Sequence, residues 1–150
     1  MSHTKTVTEG ELLDAVYKNV KMAGDSIINL MPKVKDEKLK SDLTVQLSTF
    51  EAFASRAVKL LGREGEKPEQ ESWMARMSAK WSGMINTMMD SSTEHLAEMM
   101  VEGATMGVND MMEQLRGARN ADISREALNL AQSVKEYEER VIEEMKAYLV

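Results

Sequence analysis

Residues 81–116 read WSGMINTMMDSSTEHLAEMMVEGATMGVNDMMEQLR. Apolar residues in this stretch recur at steps of three and four, which is the period of a helix with one broad apolar face. That face must pack against other helices, so the stretch predicts the central packing surface of a helical protein. Its members are Trp81, Met84, Ile85, Met88, Met89, Leu96, Met99, Met100, Gly103, Met106, Met111 and Leu115.

The same stretch carries two glycines and a histidine at informative spacings. Gly103 and Gly107 form a Gly-x-x-x-Gly pair, which in a soluble helix usually marks a place where another backbone comes close. His95 lies at the edge of the apolar face, and Glu98 and Glu102 follow it at i+3 and i+7. We therefore expect close helix packing at the glycines and a polar cluster beside His95.

Composition limits the class of protein. A chain of 150 residues with 43% hydrophobic and 29% charged residues predicts one globular domain over residues 1–150. The net charge of -6 argues against nucleic-acid binding, because phosphate neutralisation needs clustered cations. The absence of cysteine excludes disulfides and thiol chemistry. No signal-type segment and no long apolar run is present, so we expect a cytoplasmic protein that does not enter a membrane.

Helical patterns continue on both sides of the central stretch. Thr8 and Glu11 match a capping box that opens the first helix, and Asp36 is a suitable N-cap for the second. The apolar pattern from Trp73 to Leu115 is too long for one globular helix. We expect it to break at Gly83 or at residues 90–93, where Ser91 and Glu94 match another capping box. The sequence predicts helices at about 8–31, 36–62, 69–90, 92–116 and 122–149.

The lengths of these helices predict the architecture. Four of them have about 24 to 28 residues, or ~40 Å, so they can lie side by side along their whole length. The segment between the second and third of these long helices is a crossover that carries a helix of its own. One long crossover is the connectivity of the ferritin-like class. We therefore predict an all-α, ferritin-like antiparallel four-helix bundle with a long helical crossover between helices two and three.

Two segments carry a resemblance to a known group of proteins. Residues 36–61, DEKLKSDLTVQLSTFEAFASRAVKLL, precede a polar loop with glycine and proline, and residues 92–111, STEHLAEMMVEGATMGVNDM, follow it. In this order they resemble small ferritin-like-fold proteins of anaerobic gut Firmicutes, over nearly the whole chain. The resemblance implies the fold, and the group has no established activity to carry over.

The wider ferritin-like family implies a di-iron site, so its ligand pattern has to be matched to this sequence. The family has a Glu on each of two helices and a Glu-x-x-His on each of the other two. Glu51 suits one Glu position, but Ala54 follows it at the histidine spacing, and Glu138 is followed at that spacing by Val141. Near the place of the first-helix carboxylate stands Lys18. Because both imidazoles are missing, we expect no cofactor.

A metal site of another kind is the alternative. His95 with Glu98 and Glu102, joined by Glu51 or Glu138, offers iron or another divalent metal an imidazole and several carboxylates. The chain would then be a metal-binding ferritin-like protein with a role in redox chemistry or metal storage. Against this, His95 fits a half-buried histidine bonded to a neighbouring acid, and the glutamates fit a solvated helix face.

Methionine is the most unusual component of the chain. Ten of the fourteen methionines lie between Met74 and Met112. Flexible thioethers suit an adaptable apolar surface, whereas adjacent methionines on a helix point about 100° apart and do not ligate one copper ion together. No nucleophile motif is present, so we expect no catalytic residue. The leading hypothesis is a non-catalytic module that forms a homodimer, or binds a partner helix or an apolar ligand. Its surface comprises Trp73, Met77, Trp81, Met88, Met99, Gly103, Met106 and Gly107.

Overall fold

Five α-helices make up most of the protein. The computed structural model describes residues 6–63, 65, 72–119 and 122–150, with the backbone alone for 72–78. No strand occurs in these ranges, which confirms the all-α prediction. Two short 3₁₀ helices, Met31–Lys33 and Ala147–Leu149, follow the first and last helices. The helices are α1 Glu9–Leu30, α2 Glu37–Arg63, α3 Ser72–Asn86, α4 Thr93–Ala118 and α5 Arg125–Lys146.

The helix starts show why these segments form helices where they do. At α1 the Thr8 hydroxyl accepts from the Glu11 backbone N–H, and the Glu11 carboxylate accepts from the Thr8 N–H, both at 3.1 Å. This confirms the capping box, which satisfies two N–H groups that have no partner inside the helix. Asp36 caps α2 by accepting from the Leu39 N–H at 2.8 Å, as its position in the sequence predicts.

Of the two predicted places for the break between α3 and α4, the one at residues 90–93 is confirmed, because residues 87–92 lie between the two helices. α3 ends at Asn86, four residues before the expected end at 90, and Gly83 lies inside the helix. The expected start at 69 lies outside the described residues. The prediction of a break at Gly83 is therefore wrong, and the chain leaves the helix in the segment after Asn86.

Ser92 caps α4, so the predicted box of Ser91 and Glu94 is also wrong. The Ser92 hydroxyl accepts from the backbone N–H of His95 at 3.2 Å. The Asp90 carboxylate accepts from the Ser92 N–H at 2.9 Å. The N-cap of α4 is therefore Ser92, one residue later than the sequence pattern predicts. The bond to Asp90 holds the Ser92 backbone in this position.

Each of the four long helices packs beside at least two of the others. α1 packs beside α2 and α4, and α5 also packs beside α2 and α4, while α3 packs on α1. The Val7 N–H donates to the Gly117 carbonyl at 3.0 Å, so the start of α1 lies at the end of α4. The pairs Arg63–Glu126 and Lys38–Tyr148 join opposite ends of α2 and α5. Both neighbouring pairs are therefore antiparallel.

Four buried leucines lie where α1 and α5 begin and α2 ends. We call this region the aliphatic end, and its members are Leu12, Leu13, Leu61 and Leu130, each at most 1% exposed. Full burial of one such side chain contributes about 1.5–3 kcal/mol to stability. On α3, Trp81 and Ile85 are buried against the bundle of long helices. Along the described residues, no helix has the length and apolar character needed to cross a membrane.

Candidate functional site

A pocket of about 200 Å³ lies midway along the long helices. α1, α4 and α5 form most of its wall, and α2 and α3 contribute one side chain each, Phe50 and Trp81. Because all five helices supply residues, the pocket depends on the complete fold. None of the four leucines of the aliphatic end lines the pocket.

The wall of the pocket is mainly apolar and flexible. Unbranched methionine side chains adapt to irregular shapes, so this wall suits ligands of more than one outline. Met106 is 53% exposed and marks the open side, whereas Met99 and Met100 are buried. The apolar lining residues are Met22, Ala23, Phe50, Trp81, Met99, Met100, Ala104, Met106 and Val141.

The two glycines of α4 make room for side chains and not for another backbone, contrary to the prediction. A Cβ built on Gly103 would lie 3.4 Å from Cζ2 of Trp81. A Cβ built on Gly107 would overlap the carboxyl group of Glu138. Gly107 is therefore the position that allows a carboxyl group from α5 to enter the pocket.

Glu138 is the most unusual side chain in the core. It is 2% exposed, and its Oε1 atom has no hydrogen-bond partner. An unpartnered buried polar atom costs about 1–3 kcal/mol, so such atoms are rare in folded proteins. No Lys, Arg or His occurs among the described residues that line the pocket.

Asn19 on α1 and Asp110 on α4 complete the polar side of the pocket. The Asn19 amide nitrogen donates to the Gly107 carbonyl at 3.0 Å and to Oδ2 of Asp110 at 3.4 Å. Because a carbonyl only accepts, the first bond fixes which way the amide points. The Asn19 oxygen is then buried without a partner of its own.

Burial sets the protonation of the two acids. It raises the pKa of Glu138 well above the usual glutamate range, and the negative charge of Asp110 raises it further. Burial also raises the pKa of Asp110, against the opposing effect of hydrogen bonds from Asn19 and Gln114. Both acids therefore hold a proton more readily than exposed acids do, and a nearby cation would reverse this.

The sequence analysis singles out five candidate metal ligands, and they occupy different environments. Glu51, Glu98 and Glu102 are exposed, and Glu138 is buried. His95 is half-buried, with its Nδ1 atom 3.8 Å from Oε2 of Glu98. The structure brings His95 and Glu98 together. Of the five candidates, only Glu138 lines the pocket. Among the described side chains, no group of three or more His, Cys, Asp or Glu is arranged to hold a metal ion.

The residues of the pocket do not fit a di-iron centre. That centre needs acids from all four long helices and an imidazole for each iron. Here α5 and α4 supply Glu138 and Asp110, whereas α1 presents Asn19 and α2 presents Phe50. Val141 occupies the position three after Glu138, where the family has histidine, and it also lines the pocket. The donor set consists of two acids and one amide.

Most of the methionine-rich surface predicted from the sequence lines the pocket. Trp81, Met99, Gly103, Met106 and Gly107 all contribute to its wall. Met88 is half-buried and packs against the core. The side chains of Trp73 and Met77 lie outside the described residues.

Asn19, Asp110, Met22 and Phe50 line the pocket although the sequence pattern did not single them out as site residues. A signal for Asn19 was present, because it interrupts the apolar face of α1 next to Val20. Glu138 interrupts the face of α5 in the same way, between Val134 and Val141. A polar residue on an otherwise apolar helix face marks a buried polar group, but periodicity does not show which of them meet.

Comparison of the chain with protein-family models, with curated proteins and with solved structures finds no match to any of them. The likeness to small ferritin-like proteins of gut Firmicutes stays an expectation drawn from sequence pattern. The function has to be argued from the pocket.

Proposed function

We propose that this protein is a non-catalytic binding module that holds a small apolar ligand in its central pocket. The observation that carries this proposal is a methionine-walled pocket of about 200 Å³ midway along the long helices, lined by buried side chains. The apolar lining would bury the ligand, and the few polar groups would orient it, which is the usual composition of a small-molecule site.

The energetic cost of the pocket supports this function. Protein interiors are close-packed, and voids larger than a water molecule are few. Wall atoms that face the pocket have no packing partner on that side, and this lowers the stability that they contribute. A further cost of about 1–3 kcal/mol falls on each unpartnered polar atom of Glu138 and Asn19. A ligand that fills the space and contacts these atoms would recover much of both.

A ferritin-like four-helix bundle is the framework that we propose for the module. Three features support it: the hairpin of α1 and α2, the hairpin of α4 and α5, and a single long crossover that contains α3. The antiparallel pairs α1–α4 and α2–α5 follow from that connectivity. In this proposal the pocket occupies the middle of the bundle, where the wider family holds its metals.

Methionine methyl NMR tests the proposal directly. In protein labelled at the methionine methyl groups, propylbenzene is expected to shift the signals of Met22, Met99, Met100 and Met106 in a saturable way. The fully exposed Met89 and the buried Met145, which does not line the pocket, serve as internal controls. Shifts spread evenly over all methionines, or no saturable shift, would contradict a ligand pocket.

A filled pocket provides the second test. Ala23 lines the pocket, so Ala23→Phe is expected to place a ring in the space and lower propylbenzene affinity by about tenfold or more. Ala52→Phe is the matched control, because Ala52 is exposed on α2. Equal binding by both variants would show that propylbenzene binds elsewhere.

Self-association is a second way for the module to act. We keep the predicted homodimer as a proposal, because Met84, Met106 and Met112 are large apolar side chains that stay exposed. Sedimentation at high micromolar concentration distinguishes the states. A dimer is expected to dissociate on Met112→Glu, and a strictly monomeric wild type would reject this part of the proposal.

The metal-binding alternative and the cytoplasmic location also remain proposals. The observation that favours a metal is that two carboxyl groups, of Glu138 and Asp110, share one pocket. Elemental analysis of tag-free protein, purified without oxygen after growth with added metals, decides between the functions. Near-stoichiometric iron or manganese would favour the metal-binding protein over the apolar-ligand module.

A further inference from the structure

Three of the residues that line the pocket carry buried or half-buried acceptor oxygens. Oε1 of Glu138 and the side-chain oxygen of Asn19 are both buried without a hydrogen-bond partner. The Asp110 carboxylate lines the same pocket. The amide nitrogen of Asn19 already donates to the Gly107 carbonyl and to Asp110, so it does not serve the ligand. The pocket therefore offers three acceptors to whatever enters it.

These acceptors converge at one place. Gly107 lies beside two of them. Its carbonyl accepts a hydrogen bond from the Asn19 amide, and its lack of a side chain makes room for the Glu138 carboxyl group. Asp110 follows Gly107 by three residues on α4 and therefore lies on the same helix face. Three helices thus contribute acceptor residues to one polar corner, and the remaining wall is apolar except for Ser26, whose hydroxyl donates to the Met22 carbonyl.

We propose that the ligand is a small apolar primary amine whose ammonium group binds in this corner, between Glu138, Asp110 and Asn19. The inference rests on the proposed function and names the class of ligand. A primary ammonium group has three N–H donors and one positive charge. It matches the three acceptors, and its charge compensates the two acids, for which the described lining provides no cation.

The size of the pocket limits the apolar part of the ligand. A 150 Å³ cavity in a protein core holds benzene, so a pocket of about 200 Å³ suits roughly nine non-hydrogen atoms. A phenyl or branched alkyl group on a two-carbon chain meets this limit. Such a group would contact Trp81, Phe50 and the methionines, while the ammonium group reaches Glu138.

Charge also decides against other ligands of this size. A carboxylate would place another acid beside Glu138 and Asp110, where burial already disfavours negative charge and where the described lining provides no cation. A neutral hydrocarbon fills the space but leaves the oxygens of Glu138 and Asn19 without partners. A divalent metal ion would find two acids and an amide but no imidazole, and the apolar wall would stay empty.

Three probes of similar size test the inference by calorimetric titration at neutral pH. They are 2-phenylethylamine, which is a cation, propylbenzene, which is neutral, and phenylacetate, which is an anion. Wild-type protein is expected to bind the amine about tenfold or more tightly than propylbenzene, and phenylacetate most weakly. This comparison needs no substitution, so it does not depend on how a variant folds.

Variants of the acids locate the effect. Glu138→Gln keeps the shape of the side chain and removes its charge, so it is expected to abolish the preference for the amine while propylbenzene still binds. Asp110→Asn is expected to reduce the preference by a smaller factor, since Asp110 is only half-buried. Glu136→Gln, on the exposed face of the same helix as Glu138, is the matched control and should bind all probes as wild type does.

The outcomes separate the inference from the proposed function. Equal affinity of wild type for the amine and propylbenzene, or an amine preference that survives in Glu138→Gln, overturns the amine assignment and leaves the apolar pocket intact. Tight binding of Fe²⁺ or Mn²⁺ alone, lost in Glu138→Gln, overturns it in favour of a metal. Failure of all three organic probes to bind overturns the proposed function itself.

Discussion

The aliphatic end and the pocket section of the same core differ in the polarity of their side chains and in the space between their helices. The aliphatic end, with Leu12, Leu13, Leu61 and Leu130, consists of apolar side chains that are at most 1% exposed. The pocket section, which we define by Asn19, Phe50, Gly107 and Glu138, has open space and buried oxygens without partners. The difference shows that the same helices can bury leucines fully along one length and leave space between them along another. In the proposed function, that space receives the ligand.

The largest expected effect belongs to the aliphatic end. Leu130→Ala removes a side chain that is 0% exposed and leaves a cavity, so the free energy of unfolding should fall by about 2–5 kcal/mol in urea titration. Met100→Ala in the pocket wall should cost less, because one side of Met100 already faces open space. Equal losses for the two variants would remove the distinction between the regions.

The second prediction concerns the fit between α4 and α5. A methyl group at Gly107 would occupy the space of the Glu138 carboxyl group, so Gly107→Ala should lower the free energy of unfolding by about 1–3 kcal/mol. In a Glu138→Ala background the same change should be tolerated, because the carboxyl group is gone. A double-mutant cycle measures this coupling, and additive effects would show that the two positions do not compete for space.

The third prediction uses pH. Because burial raises the pKa of Glu138 in the folded state, the folded protein holds a proton that the unfolded chain releases above the usual value of 4.5. Its contribution to stability is complete below that pH and is lost as the pH rises through the folded-state value. Unfolding of Glu138→Gln should therefore depend less on pH, with a gain of about 1–2 kcal/mol over wild type on the alkaline side.

Asp110 changes the pH dependence of stability in the same direction as Glu138. A variant of Asp110 is therefore the control for this measurement. Its pKa is also raised by burial, so a smaller pH dependence should remain in Glu138→Gln and disappear in the double variant with Asp110→Asn. Wild type that becomes more stable than Glu138→Gln as the pH rises would contradict the assignment of a buried acid without a cationic partner.

The smallest expected effect sharpens the comparison between the two glycines. At Gly103 an added methyl group would touch the Trp81 ring at 3.4 Å, so a small shift of the ring accommodates it. The gain of about 0.5–1 kcal/mol from replacing a helical glycine offsets this contact. Gly103→Ala should therefore change the free energy of unfolding by less than about 1 kcal/mol in the same urea titration. A loss as large as that of Gly107→Ala would show that α4 rejects any side chain on this face.

Local sequence signals predicted the helices well. Thr8 with Glu11, and Asp36, act within three residues of themselves, so their capping roles follow from sequence alone. Where two local signals competed, as at Ser91 and Ser92, the choice depended on the side chain of Asp90 and could not be predicted from a motif. The predicted lengths were enough to show that the long helices can lie side by side. The length of a helix does not depend on how the helix is rotated about its own axis.

The pocket was not predictable in the same way. Its polar corner requires that Asn19, Asp110 and Glu138 face one another, and this depends on the rotation of three helices about their axes. Periodicity identifies the buried face of each helix but leaves its partner open. The Gly-x-x-x-Gly pair signalled a close approach, yet only the structure shows that the approaching groups are the Trp81 ring and the Glu138 carboxyl group.

The contacts of α1 also have a consequence for how the chain acquires its fold during synthesis. α1 precedes the other helices in the chain, and it packs against every one of them. Its apolar face is therefore covered step by step, first by α2 and last by α5, over the several seconds that translation of the chain takes. The Val7–Gly117 bond can form only after the end of α4 is synthesised, and the bond from the Ser124 N–H to Glu9 only when the residue that caps α5 follows. The pocket needs Glu138 and Val141 of α5, so it comes into existence only when the last helix is in place.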